Sequence, residues 1–118
     1  AKMREGHVVI VTGGTGNPYF TTDTAACLRG VELQVDTVLK ATNVDGIYSG
    51  DPKKDATATK FDTISFDQVL EKQLGVMDLT AIVLCKENNM PLVVFDASVK
   101  GALLALTAGQ SIGTKVVQ

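Results

Sequence analysis

Residues 12–24 read Thr-Gly-Gly-Thr-Gly-Asn-Pro-Tyr-Phe-Thr-Thr-Asp-Thr, the densest set of anion-gripping groups in the chain. Gly13, Gly14 and Gly16 let backbone amides approach a ligand closely. Thr12, Thr15, Asn17, Thr21, Thr22 and Thr24 add more side-chain donors than a tight turn needs. Asp23 stands where a following helix takes its first turn, with unpaired N–H groups and a positive dipole end. That place suits a bound phosphate. It also suits a plain capping carboxylate, so both readings of Asp23 stay open. Two common nucleotide patterns, G-x-x-x-x-G-K-[ST] and G-x-G-x-x-G, do not occur. Asp78 occupies a second helix-cap position. Lys40 closes a strand, either as a phosphate contact or as a solvated charge. His7 has no partner at metal-ligand spacing. Cys27 and Cys85 lack CxxC spacing and read as buried, reduced thiols.

These groups need a scaffold, and hydrophobic periodicity supplies an outline of one. The β-branched run Val8-Val9-Ile10-Val11 predicts a strand over 7–12. A helix is expected over 22–35, because Ala25, Leu28, Val31 and Val35 fall on one face. A strand over 37–41 would complete a βαβ unit with parallel strands and a right-handed crossover. Residues 42–63 are rich in turn chemistry, with a short strand at Ile47 and Tyr48; such an excursion is either functional or simply solvated. Ser65 with Gln68 forms a capping box for a helix running towards Gly75. A helix over 78–88 is closed by Asn88-Asn89-Met90-Pro91. A buried strand over 92–96, a helix over 99–108 stopped by Gly109, and a strand over 113–117 finish the chain. The expected architecture is a single α/β domain over 1–118, a mainly parallel sheet of four or five strands between helices.

Composition narrows the function. A chain of 118 residues with 45% hydrophobic content has the size and core of one domain. A net charge of −2 with scattered Lys and Arg argues against a nucleic-acid surface. No apolar run approaches the ~20 residues needed to cross a bilayer. The opening Ala-Lys-Met-Arg-Glu-Gly has no apolar signal-peptide core, so a cytoplasmic location is expected. Residues 1–6 read as a helix end running into a strand, an abrupt beginning.

The segment Gly14-Thr15-Gly16-Asn17-Pro18-Tyr19-Phe20-Thr21-Thr22-Asp23-Thr24-Ala25-Ala26 closely resembles the signature of bacterial-type UMP kinases (uridylate kinases), within the amino-acid-kinase superfamily. Lys40-Ala41-Thr42-Asn43-Val44-Asp45-Gly46, Asp51-Pro52, Val76-Met77-Asp78-Leu79 and Gly113-Thr114 continue the resemblance. It covers essentially the whole chain but only about the C-terminal half of the family's usual enzyme. It implies a truncated three-layer αβα fold and transfer of a phosphoryl group from MgATP to UMP, giving ADP and UDP. By the same resemblance, Thr15, Gly16, Asn17, Pro18, Tyr19, Phe20, Thr21 and Thr22 form the UMP loop. Thr42, Tyr48 and Asp51 bind ATP. Asp23 and Asp78 act on the transferring phosphate, and Mg²⁺ enters with ATP rather than through a resident metal site. The physical chemistry agrees in part. Thr42 ends a strand at its carboxyl edge, where ligands bind in open α/β sheets. Tyr48 offers a flat face to adenine, and Asp51 can accept hydrogen bonds from a ribose. Pro18 stiffens its loop, while Tyr19 and Phe20 suit either a ligand wall or ordinary packing. The resemblance further implies a homo-oligomer, a hexamer in the family, and a separate N-terminal half that carries a phosphate-binding lysine. The isolated chain is therefore expected to be inactive. The alternative reading is a non-catalytic nucleotide-binding or regulatory module on the same half-fold; activity with an added N-terminal half separates the two.

Overall fold

The computed structural model describes residues 6–12, 16, 22–72, 74 and 77–118. Among the described residues there are four helices: α1 (Thr22–Leu33), α2 (Phe66–Glu71), α3 (Leu79–Glu87) and α4 (Ala102–Thr107). The strands are β1 (Val38–Thr42), β2 (Ile47–Tyr48), β3 (Lys60–Phe61), β4 (Thr63–Ser65), β5 (Leu92–Asp96) and β6 (Thr114–Val117). The main sheet runs β1-β5-β6-β4. β1 and β5 are parallel, in register from Val38 opposite Leu92 to Thr42 opposite Asp96. β4 and β6 are parallel, while β5 and β6 are antiparallel. The sheet is thus mixed and mainly parallel, as the sequence implies. The irregular stretch after β1 is pinned by the small antiparallel pair β2 and β3.

The core lies between this sheet and the packed helices α1 and α3. It joins Cys27 from α1, Ala81, Ile82 and Cys85 from α3, and Val38, Leu92, Val94 and Val116 from the sheet. β5 is buried along Leu92–Phe95, which explains its continuous apolar run. Burial at this depth makes apolar transfer the main stabilising term.

Local chemistry sets the element ends. Ser65 and Gln68 form the expected capping box, with the Ser65 hydroxyl accepting from Gln68 N at 3.1 Å. Asp78 caps α3 by accepting from Ala81 N at 2.8 Å. α1 stops two residues short of Val35, because Gln34 turns left-handed at φ 54°. Val35 N then donates to Gly30 O, the bond of a Schellman stop. Asn89, at φ 52°, closes α3 in the same way, with Met90 N on Cys85 O at 2.9 Å. Gly109 ends α4 as expected, and Gln110 N donates to Ala105 O. α4 begins at Ala102 rather than at 99, because Asp96 gathers Ser98 N and Ser98 Oγ into a turn first.

One expected element does not form. Residues 7–12 carry no regular structure, and Val8 and Ile10 are 95% and 85% exposed. β-branched residues favour a strand only where a neighbour completes the ladder. β1 pairs with β5 alone, so the crossover expected between 7–12 and β1 is not made among the described residues.

Candidate active site

The carboxyl end of β1 opens onto a cleft of about 760 Å³. Thr42, Tyr48 and Asp51 all line it, together with Lys40, Ser49 and Lys72. The fold therefore brings the three residues of one sequence-derived set to a single cavity. Parallel strands place their carboxyl ends at such an edge. The loop that follows forms the opposite wall because Thr114 of β6 anchors it. The buried Thr114 hydroxyl accepts from Ile47 N at 2.8 Å and donates to Phe61 O, joining β2, β3 and the main sheet. Gly46 is required beside it, since a Cβ there would sit 2.5 Å from Thr114 Oγ1.

Within the cleft each polar group has a local setting. Tyr48 donates its hydroxyl to Asp45 Oδ1 at 2.8 Å. That hydrogen bond is the main reason the phenol holds its proton above its ordinary pKa. Asp51 shapes a turn by accepting from Lys53 N at 2.9 Å. Thr42 Oγ1 accepts from Val44 N at 3.3 Å, which turns the chain out of β1. Lys72 rests over the Phe61 ring, 5.3 Å from its centroid.

Two helix N-termini meet near Lys40, which lines the cleft. Lys40 Nζ lies 3.1 Å from Asp23 Oδ2, with 24% and 30% of the two side chains exposed. The Thr24 hydroxyl donates to Asp78, 3.2 Å from Oδ1 and 3.3 Å from Oδ2. Asp78 thus caps α3 and ties it to the first turn of α1. Asp23 and Asp78 are brought to one neighbourhood although 55 positions separate them in the chain (78 − 23 = 55). Lys40 joins this neighbourhood to the cleft, a role the sequence left undecided. Its signal is parity: Val38, Lys40 and Thr42 share one face of β1.

The glycine-rich loop is described only in part. Gly16 is exposed with φ 78°, and the backbone of Thr22 opens α1. Thr15, Asn17, Pro18, Tyr19, Phe20 and Thr21 lie outside the described residues. Cys27 and Cys85 are buried and unbridged. The hydrogen bond between them, followed by burial, pushes the Cys27 thiol far up and leaves it a poor nucleophile.

Residues 1–96 match the amino acid kinase family. The chain belongs to that family. Among its relatives, the uridylate kinase of Alcanivorax borkumensis is 60% identical over 114 residues, covering 97% of this chain and 45% of that protein. The uridylate kinase of Phocaeicola vulgatus is 57% identical, covering 97% of this chain and 48% of that protein. The crystal structure of UMP kinase from Bacillus anthracis matches with a TM-score of 0.94 at 31% identity, over 98% of this chain and 48% of that one. An aspartate kinase from Synechocystis matches with a TM-score of 0.65 at 26% identity, over 81% of this chain and 15% of that one. This amino acid kinase chain spans about half the length of the uridylate kinases it matches.

Proposed function

We propose that this chain forms the ATP side of a kinase that moves the γ-phosphoryl group of ATP to UMP, giving ADP and UDP. The observation that carries the reading is the single cleft shared by Thr42, Tyr48 and Asp51, joined through Lys40 to Asp23 in the first turn of α1, which Thr24 ties to Asp78. The uridylate kinase relatives, at 57% and 60% identity, support UMP as the acceptor. In this reading the Tyr48 ring covers adenine and Asp51 accepts from ribose hydroxyls. Residues 15–22 receive UMP ahead of α1.

Phosphoryl transfer asks little covalent chemistry of a protein. What matters is alignment of the two nucleotides and stabilisation of charge on the moving group. The first turns of α1 and α3 point their N–H ends to one side of the core, and the Thr24–Asp78 bond fixes their relation. Magnesium is commonly held by substrate phosphates with one or two protein carboxylates. In this reading Asp23 and Asp78 would supply those carboxylates; no group of three or more His, Cys, Asp and Glu side chains that could hold a metal occurs among the described residues. Bound with ATP, the ion neutralises charge on the phosphates. The oligomer of this reading is a hexamer, and its location the cytoplasm; no helix among the described residues is long and apolar enough to cross a membrane.

The test uses this chain extended to the full length of its relatives. Asp51→Ala and Tyr48→Ala should each raise the KM for ATP about tenfold, the scale of one lost polar or stacking contact, and change that for UMP by less than twofold. Equal loss for both nucleotides would mean general destabilisation and would remove the assignment of the cleft.

A further inference from the structure

We propose that Cys27 and Cys85 form an oxidative modification site, a dithiol that a small peroxide converts reversibly to a disulfide joining α1 to α3. The site is independent of what the cleft binds. Three observations carry it. The two thiols meet in the core and share a hydrogen bond. Both are free and fully buried, and they stand on different helices 58 positions apart (85 − 27 = 58). The helices meet there through small side chains, because Ala81 is also fully buried, one turn before Cys85 on the same face of α3. Small facing residues let two helix axes approach to about 8 Å. A disulfide fits between facing positions at that distance, since it spans Cα atoms about 4.4–6.8 Å apart.

The hydrogen bond also divides the roles. It lowers the pKa of the Cys85 thiol and raises that of Cys27, so Cys85 is the attacking sulfur and Cys27 the resolving one. The Cys85 thiolate attacks one oxygen of hydrogen peroxide, the O–O bond breaks, and hydroxide leaves. Cys27 sulfur then attacks the Cys85 sulfenic acid. The S–S bond forms, the S–O bond breaks, and the oxygen leaves as water with the Cys27 proton. In sum the two thiols lose two electrons and two protons, and the peroxide becomes two waters. Exchange with a small dithiol reverses the change. Burial sets the pace, because peroxide reaches the pair only when α1 and α3 part locally. Transient disulfides of this kind are the form the bond takes where thiols are otherwise kept reduced. Cys27 lies one turn along α1 from Asp23 and Thr24. The disulfide therefore adds a covalent tie to the one that Thr24 and Asp78 make by hydrogen bonding.

The experiment treats the folded chain with hydrogen peroxide and follows it by intact mass and non-reducing peptide mapping. Wild type should lose two hydrogens, with Cys27 linked to Cys85 inside one molecule, and dithiothreitol should restore it. The linked chain should unfold at higher denaturant concentration than the reduced one. In Cys27→Ala, peroxide should leave a sulfenic acid on Cys85 that dimedone traps. In Cys85→Ala, dimedone should label Cys27 at least tenfold less. The wild-type measurements need neither variant to fold. Thiols that stay reduced in folded wild type overturn the proposal. So does a disulfide between two molecules, or one that appears only once denaturant is added. A linked chain that unfolds at lower denaturant concentration than the reduced chain also overturns it, because the pair is then strained by the bond. Equal dimedone labelling of the two variants overturns the assignment of Cys85 as the attacking sulfur.

Discussion

Tyr48 commits its hydroxyl to Asp45, so what remains for a ligand is the face of its ring. Tyr48→Phe should therefore leave ATP affinity within about twofold, whereas Tyr48→Ala should weaken it about tenfold. Equal losses in both, measured by ATP titration, would show that the hydroxyl matters rather than the ring. The raised phenol pKa adds a spectroscopic check. Because the hydrogen bond to Asp45 is its main cause, an absorbance titration should find Tyr48 ionising at higher pH than in Asp45→Ala. Asp23→Asn, in the chain extended to its relatives' length, should lower kcat more than it raises the KM for UMP. The substitution keeps the shape of the side chain and removes the charge facing Lys40. Unchanged turnover would reduce Asp23 to a helix cap. Asp23, Asp78, Thr42, Tyr48 and Asp51 were nominated from local patterns and from the family resemblance, and the fold brings Thr42, Tyr48 and Asp51 to one cleft. Two partnerships were not legible in the sequence. Thr24 reaches Asp78 across 54 positions and Lys40 reaches Asp23 across 17, and no local pattern encodes either pairing.

At the scale of elements, Asp78 and Ser65 make a comparison. Ser65 only caps α2, so Ser65→Ala should cost about 1 kcal/mol in denaturant unfolding. Asp78 caps α3 and accepts from Thr24, so Asp78→Ala should cost more than Ser65→Ala. Equal costs would show that the bond between α1 and α3 adds nothing. Thr114→Val tests the anchor of the cleft's outer wall. It leaves Ile47 N and Phe61 O without their partner, an expected loss on the order of 1–3 kcal/mol. Helix limits were mostly readable because capping is local, as Ser65, Asp78 and Gly109 show. The errors have physical causes of the same kind. Gln34 adopts a left-handed turn that its residue type does not advertise, so α1 ended early. The run Val8–Val11 has strong strand character, yet strand formation depends on a neighbour and none of the described strands pairs with it.

At the scale of the whole molecule, the chain covers about half of each uridylate kinase it matches. A phosphoryl group passing between two anions needs charge on both flanks, and the groups described here make one flank. These residues alone should therefore not convert UMP and MgATP to UDP and ADP. The exposed apolar side chains of Val8, Ile10, Leu103 and Leu104 also favour self-association. A coupled ADP-release assay run beside a solution size measurement checks both expectations; robust UDP formation by a monomer would refute them. The fold class was legible because alternating helices and apolar strands leave few architectures. The antiparallel placement of β6 beside β5 was not, since strand direction follows from contacts far apart in sequence.

A nucleotide site at the carboxyl edge of β1 is open to a direct measurement, backbone amide NMR of this chain titrated with MgATP. Shifts should saturate with one affinity and cluster at Lys40, Thr42, Tyr48 and Asp51. Shifts absent altogether, or gathered on the opposite cleft between Leu39, Val93 and Leu106, would contradict it.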